Sequence, residues 1–515
     1  MSIAVFLSRI LGLVREQVFA ALFGASNATD AYQIAFRIPN LLRDLFAEGA
    51  MSAALVPTFI QVQKEKGIDR GWQVATRVFV ALFIVVSALA ILGIIFAEPI
   101  INIYANAFRS IPGKFELTVR MTQIMMPFFP LVAVAAGFMA ILNACGKFFM
   151  PSFASAMFNA VSIITGVILA HFFPRWGREP IEGMAYGVIA GGFVQALIQW
   201  PILRKQGYRA LWNRPDTVPP LKDPALRRMM FLMIPGTVGL AATQINILVN
   251  SMFATSLEAG AVSWLNYAFR LMQFPIGIFG VSLASATLPV FSRAWTEHNY
   301  ENASSSLLKT VKRVFAINFP ASAGLAFLGI PIISLIFEHG RFSHNDTVST
   351  AHALAAYAVG LTAYSVVKVL VPICYAIGET RLAVFSSVFS VVSNLIFNFC
   401  FVKRLGFIGL ALGTSITAIL NSGMLWFFIS RKMKQKSVSP RTAEMLKAML
   451  SYGGVALAMG GVVWSFDRAF GEHLFALARV AVGLGVGVGS YFLLSIFLKL
   501  EESLDLLEMI KRRLG

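Results

Sequence analysis

The order of apolar and polar positions divides this chain into fourteen long apolar runs joined by short polar links. The runs are Ile3 to Phe23, Ala31 to Val62, Trp72 to Ile103, Leu117 to Ala144, Met150 to Phe173, Gly183 to Leu203, Leu226 to Thr255, Ala261 to Phe291, Leu307 to Phe337, Ala351 to Ile377, Leu382 to Val402, Gly406 to Ile429, Met445 to Phe466 and Leu474 to Leu498. Each is long enough to cross a hydrocarbon layer about 30 Å thick as a helix rising about 1.5 Å per residue. A segment in lipid must satisfy its own backbone hydrogen bonds, which a helix does alone and a strand does only in a closed barrel. Runs of this length, without the two-residue alternation of barrel strands, predict an all-α polytopic membrane protein with fourteen transmembrane helices.

The second run breaks the pattern. It is of spanning length, yet it carries Arg37, Arg43, Asp44 and Glu48. An Arg at mid-bilayer depth costs about 2.5–3.5 kcal/mol on insertion scales, so such residues face a bundle interior or a water-filled cavity. Pro39 lacks a backbone N–H and crowds the preceding turn, which predicts a kink between the two arginines. A basic cavity of this kind suits an anionic occupant.

The pattern also repeats. Ala35-Phe36-Arg37 recurs as Ala268-Phe269-Arg270, and Ala54-Leu55-Val56-Pro57-Thr58-Phe59 recurs as Ala286-Thr287-Leu288-Pro289-Val290-Phe291. Pro99-Ile100-Ile101 returns as Pro331-Ile332-Ile333, Gly146 as Gly378, and Gly183-x-Ala185-x-Gly187 as Gly409-x-Ala411-x-Gly413. The offsets are 233, 232, 232, 232 and 226 residues. Six helices per copy is an even number, so both copies begin on the same side of the membrane, and parallel repeats are a transporter architecture. The expected organisation is a first lobe over 1–210, a cytoplasmic linker over 211–225, a second lobe over 226–435, a terminal helix pair over 436–498 and an interfacial tail over 499–515.

Composition agrees, with 57% hydrophobic and only 13% charged residues. The three cysteines, Cys145, Cys374 and Cys400, are far apart and suggest neither a disulfide framework nor a metal cluster. A formal net charge of +18 could signal nucleic acid, so its distribution matters. With a cytoplasmic N-terminus, cytoplasmic loops and span ends take 27 Lys and Arg, external ones take 10, and six lie within spans. That bias fits basic loops at an anionic cytoplasmic surface, places both termini in the cytoplasm, and gives no reason to expect nucleic acid.

The six intramembrane basic residues are Arg9, Arg15, Arg37, Arg43, Arg270 and Lys368. Arg9 and Arg15, like Arg37 and Arg43, are six apart, which sets each pair roughly 120° apart at two depths on a helix. A planar guanidinium binds phosphate oxygens two-pronged, better than an ammonium does. The structural alternative is pairing with Glu16, Asp30, Asp44 or Glu48. Asp30 and Glu48 lean towards such supporting roles, with Asp30 either a helix cap or a gate residue. Lys368 is about nine residues from the cytoplasmic end of its span, so lining a cavity and snorkelling to the surface are equally open to it. Asn246, Asn250, Asn394, Asn398 and Thr414 could offer oxygens to Na⁺, although without a carboxylate interhelical hydrogen bonding is the stronger reading. Gly483, Gly485, Gly487 and Gly489 alternate along the last span and leave a flat strip for helix contact or for a lipid tail. The tail from Glu501 to Leu514 alternates Leu with charge and predicts a short anchoring helix at the interface. There is no Walker-type phosphate loop, HExxH motif or nucleophile elbow, so no enzyme and no cofactor are expected. The driving force is left to a coupling ion, Na⁺ or H⁺, or to the membrane potential.

Three stretches carry a family resemblance: Ser8-Arg9-Ile10-Leu11-Gly12-Leu13-Val14-Arg15, Ala28-Thr29-Asp30-Ala31, and Pro39-Asn40-Leu41-Leu42-Arg43 with Phe46-Ala47-Glu48-Gly49-Ala50. They resemble the MviN/MurJ lipid II flippases of the multidrug, oligosaccharidyl-lipid and polysaccharide exporter superfamily. The resemblance extends over essentially the whole chain. It implies a bacterial inner-membrane protein that moves undecaprenyl-pyrophosphate-linked disaccharide pentapeptide from the cytoplasmic to the periplasmic leaflet by alternating access; we expect it to work as a monomer among membrane lipids. It also implies headgroup binding by Arg9, Arg15, Arg43 and Arg270, and a polyprenyl groove on the terminal pair, which we place at Gly485 and Gly489. Phe269 and Gln273 stand where relatives often have acidic residues, which simplifies any charge network around Arg270. The competing expectations are a cation-coupled multidrug or polysaccharide-unit exporter, which would need a carboxylate in an apolar cavity, and a membrane glycosyltransferase or polymerase, which would need a long external loop with acidic or His residues.

Overall fold

The computed structural model describes residues 2–45, 49–208 and 223–514, and every regular element among them is a helix. Nine described helical stretches are long and apolar enough to cross a membrane, or ten if a pair bent by 72° counts as one span. The chain is thus an all-helical polytopic membrane protein. It divides into two compact units, Met1–Val262 and Ser263–Gly515.

The first unit contains α1 (Ser2–Phe23), α2 (Asn27–Arg43), α3 (Gly49–Lys66), α4 (Ile68–Ile95), α5 (Ala97–Ala105), α6 (Lys114–Met125), α7 (Phe128–Ala144), α8 (Phe149–Phe172), α9 (Glu182–Leu197), α10 (Trp200–Lys205) and α11 (Pro224–Thr255). Its closest pair is α8 with α9. A Cβ on Gly183 would lie 2.5 Å from the Ala170 nitrogen, and one on Gly187 would lie 2.5 Å from the Ser162 carbonyl oxygen. Small residues let the two backbones touch, which is how helices gain packing energy where lipid removes the hydrophobic drive. α1 packs on α8, α2 on α6, and α11 on α3. α2 remains helical through Pro39, and its regular hydrogen bonding gives way only at Asp44 and Leu45.

The helix α12 (Ala261–Pro275) opens at the division, and a π turn, Ile276–Gly280, follows Pro275 before α13 (Val281–Thr296). Proline removes an intrahelical donor, and the wider turn absorbs the loss. The second unit continues with α14 (Tyr300–Phe327), α15 (Gly329–Phe337), α16 (His344–Ala376), α17 (Thr380–Gln435), α18 (Thr442–Phe470), α19 (Ala476–Phe497) and α20 (Glu501–Leu514). Ser343 and Asp346 form a capping box at the start of α16. The long run α17 contains one non-helical residue, Gly406, at φ 55° and ψ −135°. Contacts step inward towards it, from Ser386 with Asn421 at 2.6 Å, through Asn394 with Thr414 at 3.2 Å, to a Gly409 Cβ position 2.8 Å from the Phe401 carbonyl oxygen. Such nesting means that the run doubles back at Gly406 as two antiparallel helices. α18 packs on α14, and α19 on α18 and α15.

Candidate functional site

The arginine-bearing helices present their charges in different ways. Arg9 on α1 is exposed. Arg15, one and a half turns further, is 13% exposed, donates to Glu16 Oε1 at 3.0 Å, and lies 5.8 Å from the centroid of the Phe158 ring. Arg37 on α2 is half-buried. Arg43 donates from Nε at 3.1 Å and from Nη2 at 2.8 Å to the same oxygen, Asp44 Oδ1. The other oxygen, Asp44 Oδ2, accepts from Gln244 Nε2 on α11 at 2.8 Å. Glu48 lies outside the described residues.

Asp30 is buried in the first turn of α2, where Ser26 rather than Asp30 is the N-cap. It accepts from Lys114 Nζ at 3.2 Å and from the Gly260 backbone N–H at 2.8 Å. Lys114 also donates to Asn27 at 2.9 Å and sits 4.0 Å from the Phe108 ring centroid. The carboxylate thus joins three chain segments at one end of the helix.

On the second unit, Arg270 of α12 and Lys368 of α16 are both exposed on otherwise apolar helices. Of the residues considered for Na⁺, Asn394, Asn398 and Thr414 come together in α17, whereas Asn246 and Asn250 sit on α11 of the first unit. The Asn394 amide donates to Thr414 Oγ1 at 3.2 Å, the Asn398 amide donates to Asn394 Oδ1 at 3.0 Å, and Thr414 donates to the Leu410 carbonyl at 2.8 Å. Asn394 Oδ1 and Thr414 Oγ1 are thereby engaged in holding the hairpin. No cluster of three or more His, Cys, Asp or Glu suited to a metal occurs among the described residues.

The glycine strip of α19 resolves into two faces. Gly483 and Gly487 are buried, with their Cβ positions 3.0 Å from Leu328 Cδ2 and 3.2 Å from Val463 Cγ2. Gly485 and Gly489 are exposed, and a Cβ on either would meet nothing within 4 Å. Helix contact therefore uses one pair, and the other faces outward.

Two buried charge groups escaped the sequence reading. Arg77, counted there as a charge near a span end, is 1% exposed and donates to Asp223 Oδ2 at 2.6 Å, which also accepts from Arg70 at 2.9 Å. Its position six residues inside the run that begins at Trp72 was the available signal. Glu182, at the start of α9, is fully buried with Arg120 Nε 3.1 Å away. Outside the spans, burial pushes the Glu338 carboxyl up, but hydrogen bonds from Ser334, Thr347 and His344 outweigh it and leave the group below its ordinary value.

A family model described as lipid II flippase MurJ matches residues 19–482. A probable lipid II flippase MurJ of Vibrio cholerae is 32% identical over 507 residues, covering 96% of this chain and 94% of its own. The lipid II flippase MurJ of Burkholderia cenocepacia is 31% identical over 494 residues, covering 94% of each. A solved lipid II flippase MurJ in an inward closed conformation superposes with a TM-score of 0.78 at 28% identity, covering 97% of this chain and 98% of that one. An inward-facing multidrug resistance MATE family transporter superposes with a TM-score of 0.69 at 16% identity over 84% of this chain and 95% of its own, a likeness of fold alone.

Proposed function

The chain belongs to the lipid II flippase MurJ family, and from that premise we propose that its intramembrane arginines hold the pyrophosphate of a lipid-linked peptidoglycan precursor while the headgroup crosses the membrane. It is a multi-pass transporter of the bacterial inner membrane that serves peptidoglycan biosynthesis, not a catalyst. The observation that supports the headgroup assignment is the exposure of Arg9 in the first unit and of Arg270 and Lys368 in the second, on apolar helices, together with the pairing of Arg15 to Glu16 and of Arg43 to Asp44 within the first unit. Hydrocarbon would not tolerate such charges, so each calls for wet or protein-lined surroundings. Guanidinium groups at several depths suit a diphosphate that must be passed along rather than trapped.

In this reading fourteen helices cross the membrane, twelve of them as the two six-helix copies of the repeat, with both termini in the cytoplasm. The site opens first to the cytoplasmic and then to the periplasmic side. Lipid II enters by its headgroup alone, because its polyprenyl tail gains about 0.8 kcal/mol for each CH₂ kept in an apolar phase. The outward face of α19 at Gly485 and Gly489 takes the tail. Asp30, Arg37 and Lys368 support or gate the path, an ion gradient or the membrane potential drives it, and one copy of the chain suffices. A photo-crosslinking analogue of lipid II with its reactive group beside the diphosphate tests this. Adducts should map around Arg15, Arg43 and Arg270, and adducts confined to the outer faces of helices would refute the assignment.

A further inference from the structure

Asp44 stands where electrostatics argues against it. It is the C-cap of α2, and the C-terminal end of a helix carries partial negative charge that disfavours a carboxylate. It is nonetheless tightly engaged, with Oδ1 taking two donors from Arg43 and Oδ2 taking the Gln244 amide from α11. The arrangement is that of a phosphate-like anion held by an arginine fork, with a carboxylate in the phosphate's place. Gln244 adds a second observation, because its Oε1 is buried with no hydrogen-bond partner among the described residues. The Asp44 contact is therefore the hydrogen bond the structure gives that amide, and breaking it would leave a part-buried side chain without the bond that holds it.

The geometry points to Asp44 as a built-in surrogate for the substrate pyrophosphate: it occupies the Arg43 fork when the headgroup is absent, yields it when the headgroup arrives, and by letting go of Gln244 reports occupancy to α11. The inference rests on Arg43 being a headgroup ligand, and it names a positioning residue that this reading does not contain. Two consequences have opposite signs. A resident carboxylate competes with an incoming anion, so its charge weakens binding. The same carboxylate ties binding to the release of α11, so its loss slows transport. A residue that merely braced the helix would lower both when removed.

The test uses the full-length protein in nanodiscs for binding and in proteoliposomes for transport. Binding of undecaprenyl pyrophosphate, with inorganic pyrophosphate as competitor, is measured for the unaltered protein, Asp44→Asn, Asp44→Ser, Gln244→Leu and Arg43→Ala. Two charge-removing variants guard against one that fails to fold. Asp44→Asn and Asp44→Ser should bind the lipid pyrophosphate about fivefold to tenfold more tightly, a gain that shrinks at high salt as charge screening requires, and should flip more slowly. Inorganic pyrophosphate should gain by the same factor, showing that the diphosphate rather than the tail senses Asp44. Gln244→Leu should slow transport in the native background and add nothing to Asp44→Asn, as coupled residues do. Unchanged or weaker binding in both Asp44 variants, with Arg43→Ala losing binding, would overturn the surrogate and leave the headgroup assignment standing. Normal binding by Arg43→Ala would instead remove the premise.

Discussion

The two copies of the repeat make the same joints with different chemistry. Under the repeat offsets, Lys114 corresponds to Asp346 and Asp30 to Ser263, beside Trp264. In the first copy this joint is a buried ion pair, Lys114 to Asp30 at 3.2 Å; in the second it is a neutral donor on a carboxylate, Trp264 Nε1 to Asp346 Oδ1 at 2.9 Å. The chain that leads into α11 is pinned by Asp223 to Arg70 and Arg77, whereas the chain that leads into α18 is pinned by Arg441 to Glu301, with the signs exchanged and the second pair more exposed. The first glycine of the Gly-x-Ala-x-Gly motif keeps its close approach to backbone in both copies, Gly183 on Ala170 and Gly409 on Phe401. Packing is therefore duplicated and charge is not. Four of the six intramembrane basic residues lie in the first copy.

The contrast breaks most visibly at the linker pins. Asp223→Ala should strand two arginines, one of them fully buried, and cost about 3–5 kcal/mol, whereas Glu301→Ala should cost under about 1 kcal/mol because its pair is solvated. Thermal denaturation of the purified variants measures both, and Arg77→Met combined with Asp223→Leu should recover much of the loss. At the helix joint the gap narrows. Asp30→Ala leaves Lys114 buried beside nothing of opposite charge and should cost roughly 3 kcal/mol, against about 1–2 kcal/mol for Asp346→Ala, which loses a cap and one hydrogen bond.

A smaller effect separates glycines that touch from glycines that do not. Gly187→Ala drives a methyl into the Ser162 carbonyl and should cost about 1–3 kcal/mol, while Gly485→Ala meets open space and should be neutral or slightly stabilising. The smallest concerns acid. Glu338 has a lowered folded-state pKa, so its contribution is present above its unfolded value near 4.5 and is lost as the pH falls through the lower folded value. Glu338→Gln should flatten stability against pH below about 4.5, and an unchanged acid limb would show that the hydrogen bonds from Thr347 and His344 carry no net charge preference.

Helical class was legible because it depends on local composition and the length of apolar runs. Partnerships across long separations were not. Arg77 and Asp223 are 146 residues apart, and nothing local to either names the other. The pairing of Arg43 with Asp44 was open to sequence reading because the residues are adjacent, but Gln244 as the third member was not. In α19 the glycines alternate by two, so either i, i+4 pair fits a contact face, and only the neighbours Leu328 and Val463 choose Gly483 and Gly487.

The central claim is that arginine forks, not the fold alone, move the headgroup. Its most direct test is the flipping rate of lipid II in proteoliposomes containing Arg15→Ala, Arg43→Ala or Arg270→Ala at matched protein amounts. Losing a charge-assisted hydrogen bond worth about 1.5–3 kcal/mol predicts roughly a tenfold to hundredfold drop, only partly restored by Lys. Unchanged rates in all three variants would contradict the account.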